Sequence, residues 1–159
     1  INSARRTGIM IGWVDDAHRP SSKRAREFLK RAPHCLEGTN GVNVVPELDK
    51  QEHDFVFLKR RFSAFFRTDQ DLTLRDHLID TLIVFGVVTN ISVRSTVHDA
   101  FFNGYQVVVP SDACAATGPR EQESSLYDIA THFGVVAESQ DVLDHIAGNG
   151  PLKTWEPEE

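Results

Sequence analysis

A chain of 159 residues, 40% hydrophobic and 25% charged, is long enough for one domain with its own core and leaves no room for a second. Its net charge of −6 excludes the basic surface that nucleic acid requires; beyond Lys59-Arg60-Arg61 there is no polybasic block. Two cysteines, Cys35 and Cys114, are too few for a disulfide framework, and no apolar run reaches the length of a membrane span or signal peptide. The expectation is a cytoplasmic single domain over residues 1–159 that handles small molecules, with neither nucleic acid nor membrane as partner.

Taken in order, Thr7–Val14 reads as a strand. It is followed by the turn Asp15–Pro20, a basic helical piece over Ser21–Arg31, and an irregular stretch over Ala32–Leu48. Phe55 and Phe57 alternate in a second strand that runs into a loop at Lys59. Asp71–Ile79 reads as a scaffold helix with Leu74 and Leu78 at i, i+4, and His77 and His98 read as surface histidines. Asp80–Gly86 is short, β-branched and apolar, as a central parallel strand is. Beyond the turn at Val87–Asn90, Val93, Val97, Ala100 and Phe101 recur at the spacing of a helix with one buried face.

Tyr105–Thr117 is another strand, with Asp112 and Cys114 at its carboxyl end and Cys114 read as a small buried apolar side chain. Leu126, Ile129, Ala130 and Phe133 stripe a helix capped at Gly134. A last strand (GVVAES), a closing helix (DVLDHIAG) and a frayed tail at 155–159 complete the chain. Strands and helices alternating in this way imply a three-layer α/β/α domain with a mostly parallel sheet.

In such sheets ligands bind at the carboxyl ends of the strands, and a helix N-terminus there offers free N–H groups. Ser92 stands in that first helical turn. At the end of the first strand, Asp16 and His18 are two apart, so an extended backbone puts them on one face, and His34 can meet them from the next loop. One carboxylate and two imidazoles suit a divalent metal, Zn, Fe or Mn. The plain alternative is that Asp16 caps a helix and His18 packs on a loop. Between Pro20 and Pro33 the only carboxylate is Glu27. Lys59, at the second strand's end, is either a charge-stabilising ammonium or part of a solvated Lys-Arg-Arg face.

GVVTNISVRSTVHDAFFNGYQVVVPSDACAA (86–116), together with LKRRFSAFFRTD (58–69), resembles the isochorismatase-like cysteine hydrolases, among them nicotinamidases, N-carbamoylsarcosine amidases and ureidoacrylate amidases. The resemblance implies a small amide or ureido substrate cleaved with release of ammonia. Lys59 takes the catalytic lysine's place, and a cis peptide falls between Val87 and Val88. The N–H groups of Val88 and Ser92 form the oxyanion hole. Phe62, Phe65 and Phe66 line the pocket or the core. D-x-H followed by P-H-C-x-x-G-T-x-G resembles the nicotinamidase metal site and names Asp16, His18 and His34 as ligands. A homodimer or homotetramer is implied in the same way.

Two departures stand out. The family carries a catalytic Asp on an earlier strand, and nothing before Ile9 resembles it. Ser92 stands where the family has its nucleophilic Cys, which points to an inactive form, with an ether hydrolase or a non-catalytic homologue as the alternatives.

Overall fold

The computed structural model describes residues 1–22 and 24–156. Strand β1 (Gly12–Asp16) pairs in parallel with β2 (Phe55–Lys59), in a register that sets Asp16 opposite Lys59. A second ladder has the order β3-β5-β7, from Thr81–Ile83, Gln106–Pro110 and Val135–Ala137. A third pairs β4 (Gly86–Val87) with β6 (Cys114–Ala115). Every pairing among the described residues is parallel, so within each ladder the carboxyl ends face one way. Helices α1 (Asn2–Arg6), α2 (Gln70–Asp76), α3 (Arg94–Phe102), α4 (Pro119–Asp128) and α5 (Ser139–Ile146) flank these ladders, giving the α/β fold expected from the alternation.

Several expected elements are shorter or displaced. The first strand begins at Gly12 because residues 2–6 form α1, which closes where the Thr7 hydroxyl donates to the Ala4 carbonyl at 2.8 Å. Ser21–Arg31 has no apolar stripe to bury; in place of the expected helix, its described residues include a short 3-10 turn at Arg26–Leu29 that carries Glu27 inward. The strand expected over 80–86 is interrupted: the Val84 N–H still reaches the Val108 carbonyl at 2.9 Å, then Gly86, at φ +127, turns the chain into β4. Helix α2 stops at Asp76, so Leu78 falls beyond it and is 90% exposed while Leu74 is buried.

The core gathers under the central ladder. Val93, Val97 and Ala100 of the α3 segment meet Val107 and Val109 of β5, Val136 of β7, Leu74 and Ile129. Phe101, expected on that face, is half exposed; it lies edge-on to Phe133 at 5.5 Å. Leu126, Ala130 and Phe133 pack on the core's margin, and residues 129–133 widen into a π-turn before β7. Gly134 is extended, and its role is close approach: a Cβ there would stand 2.6 Å from the Val107 carbonyl oxygen. His98 is half-buried against Phe133, ring centroids 4.0 Å apart, and burial together with the Arg94 charge pulls its pKa down. Cys114 packs on the core as expected, and burial pushes its thiol up. No described helix is long and apolar enough to cross a membrane.

Asp54 ties the N-terminus down. It accepts from Arg5 at 2.7 Å, from the Trp13 indole at 2.8 Å and from the Gln51 N–H at 2.9 Å. Burial raises its carboxyl, but these bonds outweigh it and bring the pKa down to about 2. A folded-state pKa below the unfolded one gives stability that is present above about pH 4 and lost as pH falls toward 2. Asp54→Asn should therefore lower stability at pH 6 by roughly 1–2 kcal/mol, with the deficit closing between pH 4 and 2 in urea titrations. Ile129→Ala should cost about 2–5 kcal/mol by the same measurement, because it empties a fully enclosed site. Leu78→Ala should change stability by no more than about 0.5 kcal/mol.

Candidate active site

Three chain segments carry the expected site residues, leaving the carboxyl ends of β1, β2 and β4. From β2 comes Lys59, only 5% exposed, with its ammonium 2.7 Å from Asp16 Oδ1 at the end of β1. The register that places them opposite each other makes this pair possible, and a buried ammonium without such a partner is costly. Asp16 is thereby committed to Lys59.

Past Asp16 the chain turns. His18, almost fully buried, bridges in parallel to Leu36: its N–H donates to the Cys35 carbonyl at 2.8 Å, and its carbonyl accepts from Glu37 at 2.9 Å. Its imidazole therefore leaves the Asp16 face. It joins Glu27 and His34, whose ligating atoms together with its own lie within 4.8 Å of one another. Of the three residues expected as ligands, His18 and His34 come together with Glu27, and Asp16 faces Lys59. The physical reason is that Asp16 answers Lys59, while Glu27 is carried inward by the 26–29 turn.

The His-Glu-His cluster fits a divalent cation. His18 Nε2 and Glu27 Oε2 stand 3.1 Å apart, the distance of an ion pair when the imidazole carries its proton, and Glu27 Oε1 has no hydrogen-bond partner among the described residues. A buried carboxylate oxygen left this way is costly unless something fills it. His34 Nδ1 lies 2.9 Å from the Ala32 carbonyl, which can only accept, so Nδ1 carries the proton and Nε2 keeps its lone pair. Phe28 walls both rings, at centroid distances of 4.8 and 5.5 Å. Three protein ligands of this kind would leave a position open on a bound ion. Cys35 lies beside this group, and burial, with the Asp16 charge, pushes its thiol up, which keeps it protonated.

From β4 comes the turn. The Val87–Val88 peptide is cis, at the bond the sequence motif points to. The Val88 carbonyl then accepts from Ile91 at 3.2 Å and Val93 at 3.3 Å, winding 89–93 as a wide π-turn ahead of α3. Turns of this kind recur at functional sites. Ser92 is half-buried in it, Val88 half-buried beside it, and Val87 largely exposed.

The loop after Lys59 is latched to this helix. The Thr96 hydroxyl donates to the Ser92 carbonyl at 2.8 Å and accepts the Ala64 N–H at 3.1 Å; Ser63 Oγ meets Asp99 Oδ2 at 2.5 Å. The S-A-F residues thus fasten the lysine's loop to the helix that carries Ser92. Of the three phenylalanines, Phe65 packs on the core near Tyr105, Phe62 is partly exposed, and Phe66 borders the cleft beside Arg60 and Arg61. The sequence carried no signal for that cleft's five arginines as a group, because they come from separate loops at 19–24 and 60–67.

A parallel α/β domain with a lysine–carboxylate pair past one ladder, bonded through its loop to a helix-start hydroxyl past another, defines a class of small-molecule hydrolases. Residues 1–141 match the isochorismatase domain, and the chain belongs to that family. It is 41% identical over 171 residues to a ureidoacrylate amidohydrolase of Yersinia enterocolitica, covering 96% of this chain and 74% of that protein. The solved cysteine hydrolase of Pseudomonas syringae superposes with a TM-score of 0.86 at 29% identity, covering 94% and 77%. A nicotinamidase/pyrazinamidase of Bacillus subtilis does so with 0.79 at 28%, covering 86% and 79%. The chain spans between 45 and 74% of the length of the curated relatives it matches.

Zn²⁺ added to chelator-treated protein should bind at one equivalent. His18→Ala or Glu27→Gln should weaken it by about 10²-fold in competition with a chromophoric chelator, while Asp16→Asn should change it far less. Equal losses in all three variants would return Asp16 to the ligand set.

Proposed function

We propose that this isochorismatase-family hydrolase is an amidohydrolase that cleaves the C–N bond of a small amide or ureide and releases ammonia, with residue 92 at the nucleophile position. The observation that carries the reading is the buried Lys59–Asp16 pair on a loop bonded through Thr96 to the turn that holds Ser92. The ureidoacrylate amidohydrolase relative over nearly the whole chain supports it.

In this reading the residue-92 side chain adds to the substrate carbonyl and the carbonyl electrons move onto oxygen. The N–H groups of Val88 and Ser92 hold that oxyanion, and the fixed Lys59 charge lowers the cost of the developing anion. Collapse of the intermediate expels the nitrogen as ammonia with the proton that the residue-92 side chain gave up, and water then cleaves the acyl bond, its hydroxyl completing the acid and its other proton returning to residue 92. The helix start and a nearby ammonium suit a thiol, which ionises near neutrality; a serine hydroxyl needs a dedicated base. The Ser92 protein is accordingly the weak form.

A metal at His18, Glu27 and His34 would act as a Lewis acid or hold a ring nitrogen. The grouping of the two imidazoles and the carboxylate, with Glu27 Oε1 left without a partner among the described residues, favours this as an addition to the amidohydrolase reading.

Ser92→Cys should raise kcat/KM for ammonia release from a panel of nicotinamide, N-carbamoyl amino acids, ureidoacrylate and maleamate by about 10²-fold or more. Lys59→Met in that background should lower kcat by about 10²-fold. No ammonia from either the Ser or the Cys protein would sink the reading and leave an ether hydrolase or a non-catalytic homologue.

A further inference from the structure

Asn90 stands midway between Val88 and Ser92 in the 89–93 turn, and Val88, at the head of that turn, offers no side-chain cap. An Asn in such a place ordinarily bonds its own backbone a residue or two away. Here both ends of the carboxamide go to one residue 27 positions further on: Nδ2 donates to the Thr117 hydroxyl at 3.0 Å, and Oδ1 accepts the Thr117 N–H at 3.2 Å. A backbone N–H can only donate, so the amide has a single orientation that satisfies both bonds. Thr117 is itself well anchored. It follows β6, which pairs with β4, and it precedes α4, whose Gln122 side chain donates back to the Cys114 carbonyl at 3.3 Å. The turn is thus held at its start by the β4–β6 ladder, at its end by the Thr96 hydroxyl on the Ser92 carbonyl, and in the middle by Asn90 alone among its polar side chains: the Thr89 hydroxyl, fully buried, has no partner among the described residues.

We propose that Asn90 is a positioning residue: its carboxamide, gripped at both ends by Thr117, keeps the Val88 and Ser92 N–H groups aimed at one point. The proposal rests on the amidohydrolase reading, in which that point is where the substrate's oxyanion develops. Two backbone N–H groups stabilise an oxyanion only while they converge on it, and a displacement of about an ångström costs on the order of 10²-fold in rate. Between Val88 and Ser92 the direction of the chain is set by the dihedrals of residues 89–91. A bond made outward from residue 90 to a separate element restrains those dihedrals where bonds at the two ends of the turn leave them free. For folding the pair matters little: Thr117 is exposed, so water satisfies the same atoms if the bonds open. What the bonds supply is orientation.

Kinetics of the Ser92→Cys protein separate this from a merely structural role. In that background Asn90→Ala should lower kcat for ammonia release from the fastest amide of the panel by about tenfold or more, with KM changed by less than about threefold. Thr117→Val should lower kcat by a smaller factor, because the bond from the backbone N–H survives, and it carries the test if Asn90→Ala does not fold; Thr117→Ser should keep the parent rate. The aldehyde counterpart of that amide, which adds to the thiol and sets its oxygen in the oxyanion's place, should lose affinity for the Asn90→Ala protein by the same factor as kcat. Gln140→Ala, which opens a comparably exposed bond to Asp144 on α5, should change none of these. In the Ser92 protein, amide hydrogen exchange at residues 88–93 should quicken by about tenfold on Asn90→Ala and stay as it was within α4. An unchanged kcat, a loss carried by KM, or unchanged exchange at 88–93 would overturn the proposal. No ammonia from the Ser92→Cys parent removes the amidohydrolase reading and the oxyanion with it, and exchange at 88–93 alone then upholds or removes the anchoring by Asn90.

Discussion

The site depends on one requirement: the Lys59 ammonium, taken almost wholly out of water at the end of β2, must face a negative charge. Parallel pairing of β1 and β2 in a register that sets Asp16 opposite it meets that requirement at 2.7 Å. Much else follows from it. With Asp16 engaged, the chain beyond is free to turn, and His18 finds its partners on the 26–36 segment instead of on the strand. The β2 loop, anchored by the lysine at one end, is anchored by Thr96 and Asp99 at the other, so the two halves of the site have a fixed relation.

The same pair explains why two clusters of buried charge coexist a few residues apart. Lys59 with Asp16 is a matched cation and anion. His18, Glu27 and His34 bring two imidazoles and a carboxylate within 4.8 Å of one another, a group whose composition could hold a divalent cation. Interchange of Asp16 and Glu27 would leave an ammonium unpaired and crowd a second carboxylate on the imidazoles, so the division of labour between the two acids is set by electrostatics as much as by chain geometry.

Local pattern made some of this legible in the sequence. Lys59, the S-A-F loop, the turn at Val87–Val88 and Ser92 all lie within short motifs whose spacing fixes their arrangement, and the buried positions Val93, Val97 and Ala100 follow from helical period. What period cannot give is where an element stops or which non-local partner wins. Leu78 matched the stripe but lies past the end of α2; Phe101 matched it but sits where the stripe meets Phe133 at the margin. Asp16 shared a face with His18 only as long as the strand continued, and the strand ends at Asp16. Glu27 was visible as the lone carboxylate between two prolines, with nothing in its neighbours to show that it turns inward. The arginine cleft is assembled from two loops some forty residues apart, and no one-dimensional pattern encodes that meeting.

The side-chain bonds that fasten the Lys59 loop to the turn bearing Ser92 have a dynamic consequence. Among the described residues β1 and β2 share backbone hydrogen bonds with each other and none with β3, β5 or β7, and the principal core lies under the latter three. The two units are joined instead by side chains such as Thr96, Ser63 and the Phe55–His77 ring contact. Side-chain latches open at lower free energy than a continuous ladder. The latches at Thr96 and Ser63 therefore open more readily than the ladders on either side of them, and a molecule lying between Lys59 and Ser92 would hold them shut, acting as a clasp for the fold as well as a guest in its site.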